Sequence, residues 1–119
     1  MEELIKNYFK GQKQKEFCIG NHGNYKCGII TNDKVTALNI LNKIQNDNKD
    51  NVISFYVDDI NAVLRLKNGD NYLWIKPILS SKAYRFHEMY IDKNISYEFF
   101  EYVLPIVGFY CSGKDVHII

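Results

Sequence analysis

The stretch INAVLRLKNGDNYLWIK, residues 60–76, decides how the rest of the chain is read. Two apolar-rich arms flank Asn68-Gly69. That dipeptide suits a two-residue type I′ turn, because both central positions need positive φ, which Asn and Gly tolerate best. Such a turn sets Lys67 opposite Asp70, Arg65 opposite Tyr72, Leu64 opposite Leu73, Val63 opposite Trp74 and Ala62 opposite Ile75. Side chains alternate across a strand. One face then carries Ala62, Leu64, Leu66, Leu73 and Ile75, and the other Val63, Arg65, Lys67, Tyr72, Trp74 and Lys76. The first face is core. The second is either a surface, since aromatics interleaved with cations suit a protein interface or base stacking, or a further buried face beneath a helix.

Upstream of the hairpin, Val52-Ile53-Ser54-Phe55-Tyr56-Val57 is β-branched and aromatic and predicts a strand closed by a turn at Asp58-Asp59. Before it, Val35, Leu38, Leu41 and Ile44 recur at helical spacing with Ala37 and Ile40, and Thr31 or Asn32 can cap that helix. Phe17-Cys18-Ile19 and Cys27-Gly28-Ile29-Ile30 predict two short strands around the turn-forming Gly20-Asn21-His22-Gly23-Asn24. Leu4, Ile5, Tyr8 and Phe9 predict an opening helix over residues 2–9, followed by a polar loop from Lys10 to Lys15.

Downstream, Pro77 ends the second arm and Glu88-Met89-Tyr90-Ile91 predicts a strand ending at Asp92. Ser96 is the expected cap of a helix in which Ile95 staples against Phe100, with Pro105 stopping it. Val107 to Cys111 and Val116 to Ile119 predict two last strands. The chain therefore reads as a single small α/β (or α+β) domain over residues 1–119. It would hold a mixed sheet of about six to eight short strands, the central hairpin and two or three helices.

Composition excludes several classes of function. Hydrophobic residues make up 46% and charged residues 24% of the 119 residues, an ordinary globular balance. Fifteen basic against fourteen acidic residues leave a net charge of +1, which supplies no overall field toward nucleic acid or an anionic membrane. Thirteen of the basic residues are Lys, two are Arg, and Asn occurs thirteen times, the codon signature of an AT-rich genome such as a low-GC bacterium or its phage. Met1-Glu2-Glu3 is acidic where a signal peptide is basic, and no apolar run approaches the roughly 18 residues of a membrane span. The cytoplasm of a host cell is the expected compartment. Cys18, Cys27 and Cys111 are odd in number with no C-x-x-C pair, and read as small buried hydrophobes.

No catalytic or metal motif is complete. GNHGNYKC, residues 20–27, departs from the phosphate-loop pattern G-x-x-x-x-G-K-[ST] at Tyr25 and at Cys27. His22, His87 and His117 lack paired ligand spacing. Asp58 and Asp59, adjacent on an extended chain, point apart. No catalytic residue, metal ligand or cofactor is expected, and the reading leans away from an enzyme.

The order GIITNDKVTALNILNKI, VISFYV, LRLKNGDNYLWI and SSKAYRFHEMYID, across residues 28–92, resembles a stretch of the ATPase core of phage large terminases and related P-loop motor proteins. In that family a strand leads to a helix, a hairpin follows, then a serine- and arginine-bearing loop, then an apolar strand ending in acid. The resemblance implies that Arg85 matches the loop arginine and Asp92 the metal-binding aspartate closing the Walker B strand. Lys93 stands where the family has its catalytic glutamate. With the phosphate loop broken as well, the resemblance implies a degenerate ATPase that binds without turnover.

Two functional expectations follow. The first is a small non-enzymatic protein of a phage or mobile element that acts through a protein–protein interface with a host protein, an inhibitor of host defence machinery being its concrete form. The second is a nucleic-acid or nucleotide-binding accessory factor derived from a P-loop motor ATPase. Arg65, Tyr72, Trp74, Lys76, Lys82, Tyr84 and Arg85 are the candidate binding residues. An unpaired sheet edge also leaves room for a homodimer, and no membrane partner is expected.

Overall fold

In the computed structural model, described over residues 1–12 and 25–119, the centre is a six-stranded mixed sheet. The strand expected over 17–19 and the turn over 20–24 lie outside the described residues. In chain order the strands are β1 (Lys26–Ile30), β2 (Val52–Val57), β3 (Asn61–Leu66), β4 (Asn71–Ile75), β5 (Glu88–Ile91) and β6 (Val116–Ile118). They lie side by side as β2-β3-β4-β1-β5-β6. β2, β3 and β4 form an antiparallel meander, and β1 pairs in parallel with both β4 and β5, as β5 does with β6. Only β3 opposes the common direction.

Among the described residues the α-helices are α1 (Glu2–Phe9), α2 (Lys34–Asp47), α3 (Tyr97–Tyr102) and α4 (Leu104–Val107). The chain leaves β1 toward the β2 edge through α2, and leaves β5 toward the β6 edge through α3 and α4. Crossovers between strands of one direction share a right hand, so two that travel in opposite directions belong on opposite faces. The packing follows this rule. α2 lays Ala37 and Leu41 against Ile29, Ala62, Leu64, Leu66 and Trp74 on one face. On the other, Ile5 and Phe9 of α1 join Phe99, Val103, Leu104 and Val107 over Ile30, Ile75, Met89 and Ile91. Each helical layer covers about half the sheet, on opposite faces.

The hairpin register differs from the expectation by one residue. Ala62 pairs with Trp74, Val63 with Leu73, Leu64 with Tyr72 and Arg65 with Asn71. The turn is a three-residue loop, Lys67-Asn68-Gly69, closed by the Leu66 N–H donating to the Asp70 carbonyl at 2.9 Å, with Gly69 at φ +95°. A one-residue slip moves an entire arm to the other face. Tyr72 and Trp74 therefore join Leu64 and Ala62 toward α2, and Leu73 joins Val63 and Arg65.

Three further expectations are corrected. Asp33, not Thr31 or Asn32, caps α2 by accepting from the Val35 and Thr36 N–H groups. Pro105 does not end a helix; it sits in the first turn of α4, where its missing N–H has no helical acceptor to lose. Residues 107–111 form no strand: Val107 ends α4, and Cys111 N–H donates to the Gly108 carbonyl at 3.0 Å. Val107 and Cys111 are both buried four residues apart, a spacing that short apolar runs leave ambiguous between helix and strand. The Ser96 cap, accepting from Phe99 N–H, and the Asp58 turn, accepting from Ile60 and Asn61 N–H, are as the residues predict. Among the described residues no helix is long and apolar enough to cross a membrane.

Candidate binding surface

α1, α3 and α4 lie chiefly over the β1-β5-β6 half of their face, and among the described residues no α-helix lies over the meander half beside them. Residues 79–85 cross it instead. A 3₁₀ turn, Leu79–Ala83, is held by Ser81 Oγ donating to the Lys76 carbonyl at 2.7 Å. Tyr84 stacks on Phe86 with centroids 5.9 Å apart. Phe86 in turn lies flat on Gly28, where a Cβ would stand 2.5 Å from its ring. The missing side chain at Gly28 thus sets the height of the aromatic wall.

Between that wall and the meander lies a groove of about 360 Å³ lined by Lys26, Val63, Arg65, Asn71, Leu73, Ala83, Tyr84 and Arg85. A second cavity of about 190 Å³ adjoins it through Ala83 and Tyr84, with Ile60, Ile75, Lys76 and Ile78 among its lining. Its rim is apolar: Ile60 is 59% and Ile78 49% exposed, and Tyr56 on the same face of β2 is 59% exposed. No carboxylate lines either space, and none of their four cations is in an ion pair among the described residues. Arg85 is steadied by Nη1, which donates to the Lys82 carbonyl at 2.6 Å and the Tyr84 carbonyl at 2.8 Å.

Of the residues nominated from sequence, Arg65, Tyr84 and Arg85 share the groove and Lys76 lines the neighbouring cavity. Lys82 is exposed on the 3₁₀ turn. Tyr72 and Trp74 are on the opposite face. Trp74 is wholly buried under α2, and its Nε1 donates to the Thr31 carbonyl at 2.9 Å. Lys26, Ile60 and Ile78 were not nominated. Lys26 joins the others only through the long-range pairing of β1 with β4, which local spacing does not carry.

Arg85 and Asp92 flank β5 at its two ends and are not brought together. Asp92 lies at the carboxyl ends of β1 and β5, where the winding reverses and open α/β sheets commonly bind ligands. There Thr31 Oγ1 donates to Asp92 Oδ2 at 2.8 Å, while Asn94 N–H donates to Oδ1 at 2.8 Å. Asp33 already takes the first N–H groups of α2. Both aspartates are thus spent on the local backbone and on Thr31.

On the α2 face, the half that α2 leaves uncovered carries an aromatic and acidic cluster. Glu88 accepts from the Tyr25 hydroxyl and contacts His117 Nε2 at 2.6 Å, and His117 stacks on Tyr90 at 4.7 Å. Burial, then the hydrogen bond to Glu88, pushes the Tyr25 phenol well above its ordinary range. Burial also raises the Cys27 thiol strongly and takes Cys111 to about 12, so both stay protonated and unreactive near neutrality. His87 is buried with Nδ1 accepting from the Lys26 N–H at 3.0 Å, its ring stacked between Tyr25 and Tyr110.

The fold and site define an α/β protein wound outward in both directions from a central parallel pair, with a cationic groove on one uncovered half-face. No protein family, curated protein or solved structure matches it.

Proposed function

We propose that this chain acts by binding a partner protein through the uncovered meander face. The observation that supports the reading is the exposed apolar rim of Ile60 and Ile78, with Tyr56 opposite Val63 on the neighbouring strand, around two adjoining cavities whose cations make no ion pair among the described residues. Exposed aliphatic and aromatic side chains grouped on one face and bordered by arginine are the usual chemistry of interface centres. A non-catalytic antagonist of a host protein, encoded by a phage or other mobile element, is the concrete form of this proposal. Its ground is the Lys- and Asn-rich, Arg-poor composition. The test is affinity capture from a low-GC bacterial lysate with the parent, with Ile60→Asp and with Lys114→Glu at the far end of the molecule. A partner held by the parent and by Lys114→Glu but lost from Ile60→Asp is the expected result. Repeatedly empty captures, or a partner indifferent to Ile60→Asp, reject the reading.

A second reading, an accessory factor for single-stranded nucleic acid, draws on the same cations with Lys82 and Tyr84. It requires salt-dependent binding of oligothymidylate that falls in Arg85→Ala.

A further inference from the structure

We infer that the groove takes an extended acidic segment of a partner protein, with one large apolar side chain of that segment seated in the adjoining cavity. This rests on the protein-binding reading above and names the chemistry of the ligand. Lys26, Arg65 and Arg85 converge on one groove from β1, β3 and the segment before β5, three parts of the chain far apart in sequence. Among the described residues none of the three is in an ion pair and no carboxylate lines the groove, so its local charge is positive although the whole chain carries only +1. Arg85 is already oriented by two backbone carbonyls, which lowers the ordering cost of a carboxylate contact through its remaining N–H donors.

The floor between these cations is apolar, made by Val63 and Leu73, and suits the backbone and side-chain stems of an extended segment. The adjoining cavity, about 190 Å³, has Ile60, Ile75, Ile78 and Tyr84 as its apolar wall, with Asn61, Lys76 and two serines completing its lining, and is of the size that holds one aromatic ring or branched aliphatic group. A nucleic acid would need stacking platforms as well as cations. Tyr84 already stacks on Phe86, and Trp74, the single tryptophan, is buried on the far face. Carboxylates with an apolar anchor fit better than phosphates with bases.

The probe is a short fluorescein-labelled peptide of glutamates flanking one phenylalanine, followed by anisotropy. Three controls accompany it: glutamines in place of the glutamates, alanine in place of the phenylalanine, and labelled oligothymidylate. The parent is expected to prefer the glutamate-phenylalanine peptide over every control. Arg65→Glu with Arg85→Glu should weaken it at least about tenfold, and Ile78→Asp should abolish the preference for phenylalanine over alanine. Trp74 fluorescence confirms that each variant is folded. No binding by the folded parent, equal binding of the glutamine peptide, binding that persists in the double arginine variant, or tighter binding of oligothymidylate overturns the inference. If the peptide fails while lysate capture stays sensitive to Ile60→Asp, the ligand chemistry is wrong and the protein-binding reading stands; if both fail, both fall.

Discussion

Cys27 has its backbone in β1 beside Glu88 and its side chain wholly buried, with Tyr25, Tyr72 and Tyr90 around it. Every one of these protonated groups has its titration raised by burial first, with Glu88 adding to the effect. Cys111, buried behind Phe86 and donating to its carbonyl, behaves likewise. The sign of the linkage is therefore fixed: the unfolded chain loses these protons first, so the contribution of these groups is level below the ordinary thiol value of 9.0 and stability falls as pH rises above it. Each of the two buried thiols contributes about 1.4 kcal/mol per pH unit to that slope, for Cys111 up to about pH 12. Urea midpoints measured from pH 8 upward should hold and then decline, and Cys27→Ala should decline less steeply. A midpoint flat into strong alkali would show that the thiols are not held protonated by the fold.

At the scale of elements, the hairpin is where one residue of register decides two faces. The loop Lys67-Asn68-Gly69 leaves Leu66 opposite Asp70, so deleting Lys67 leaves Asn68-Gly69 as a two-residue turn closing the same pairs. The deletion variant is expected to fold with Trp74 buried, losing the bond from Lys67 N–H to the Asn51 carbonyl, worth about 1 kcal/mol. Since Trp74 is the only tryptophan, its emission reads the register directly. An emission shifted to that of solvent-exposed indole, or loss of the cooperative urea transition, would count against it. The same loop explains what the residues did and did not reveal. Strand existence was legible from the β-branched and aromatic run of β2, from the apolar arms around Asn68-Gly69 and from Glu88-Met89-Tyr90-Ile91, and helix existence from the spacing of Val35, Leu38, Leu41 and Ile44. Asn-Gly serves both a two-residue turn and the last positions of a three-residue loop, so it announces a hairpin without stating its register. The cap of α2 was read as Thr31 or Asn32, one or two residues early, although Asp33 carries an acceptor as well; the Thr31 hydroxyl is used instead toward Asp92. Half of the candidate surface was readable as cations near Tyr84. Lys26 and Ile60 required the strand order, which is non-local.

For the whole molecule, the same winding rule that sets the described helices on opposite faces also makes β1 the common member of both cores. Its Ile29 side chain belongs to the α2 core and its Ile30 to the core beneath α1, α3 and α4, and both are fully buried. Opening either core strips one face of β1, while its hydrogen-bonded neighbours β4 and β5 hold it on both edges. β2 is the contrary case. Asp58 N–H donates inward to the Asn61 carbonyl, and backbone groups alternate along a strand, so the amides of Tyr56 and Ser54 face β3 while those of Phe55 and Val57 face the open edge. Native-state hydrogen exchange should find Ile29 and Ile30 exchanging only through global unfolding, and Phe55 and Val57 exchanging far sooner. If instead the β1 amides exchanged together with those of α2 while α3 and its contacts stayed protected, the two cores would be separate cooperative units and β1 would not bridge them. The cationic groove is floored by β3 and β4, between the protected strand and the open one. Its floor at Leu73 and Val63 is therefore expected to exchange its amides later than Phe55 and Val57 on β2.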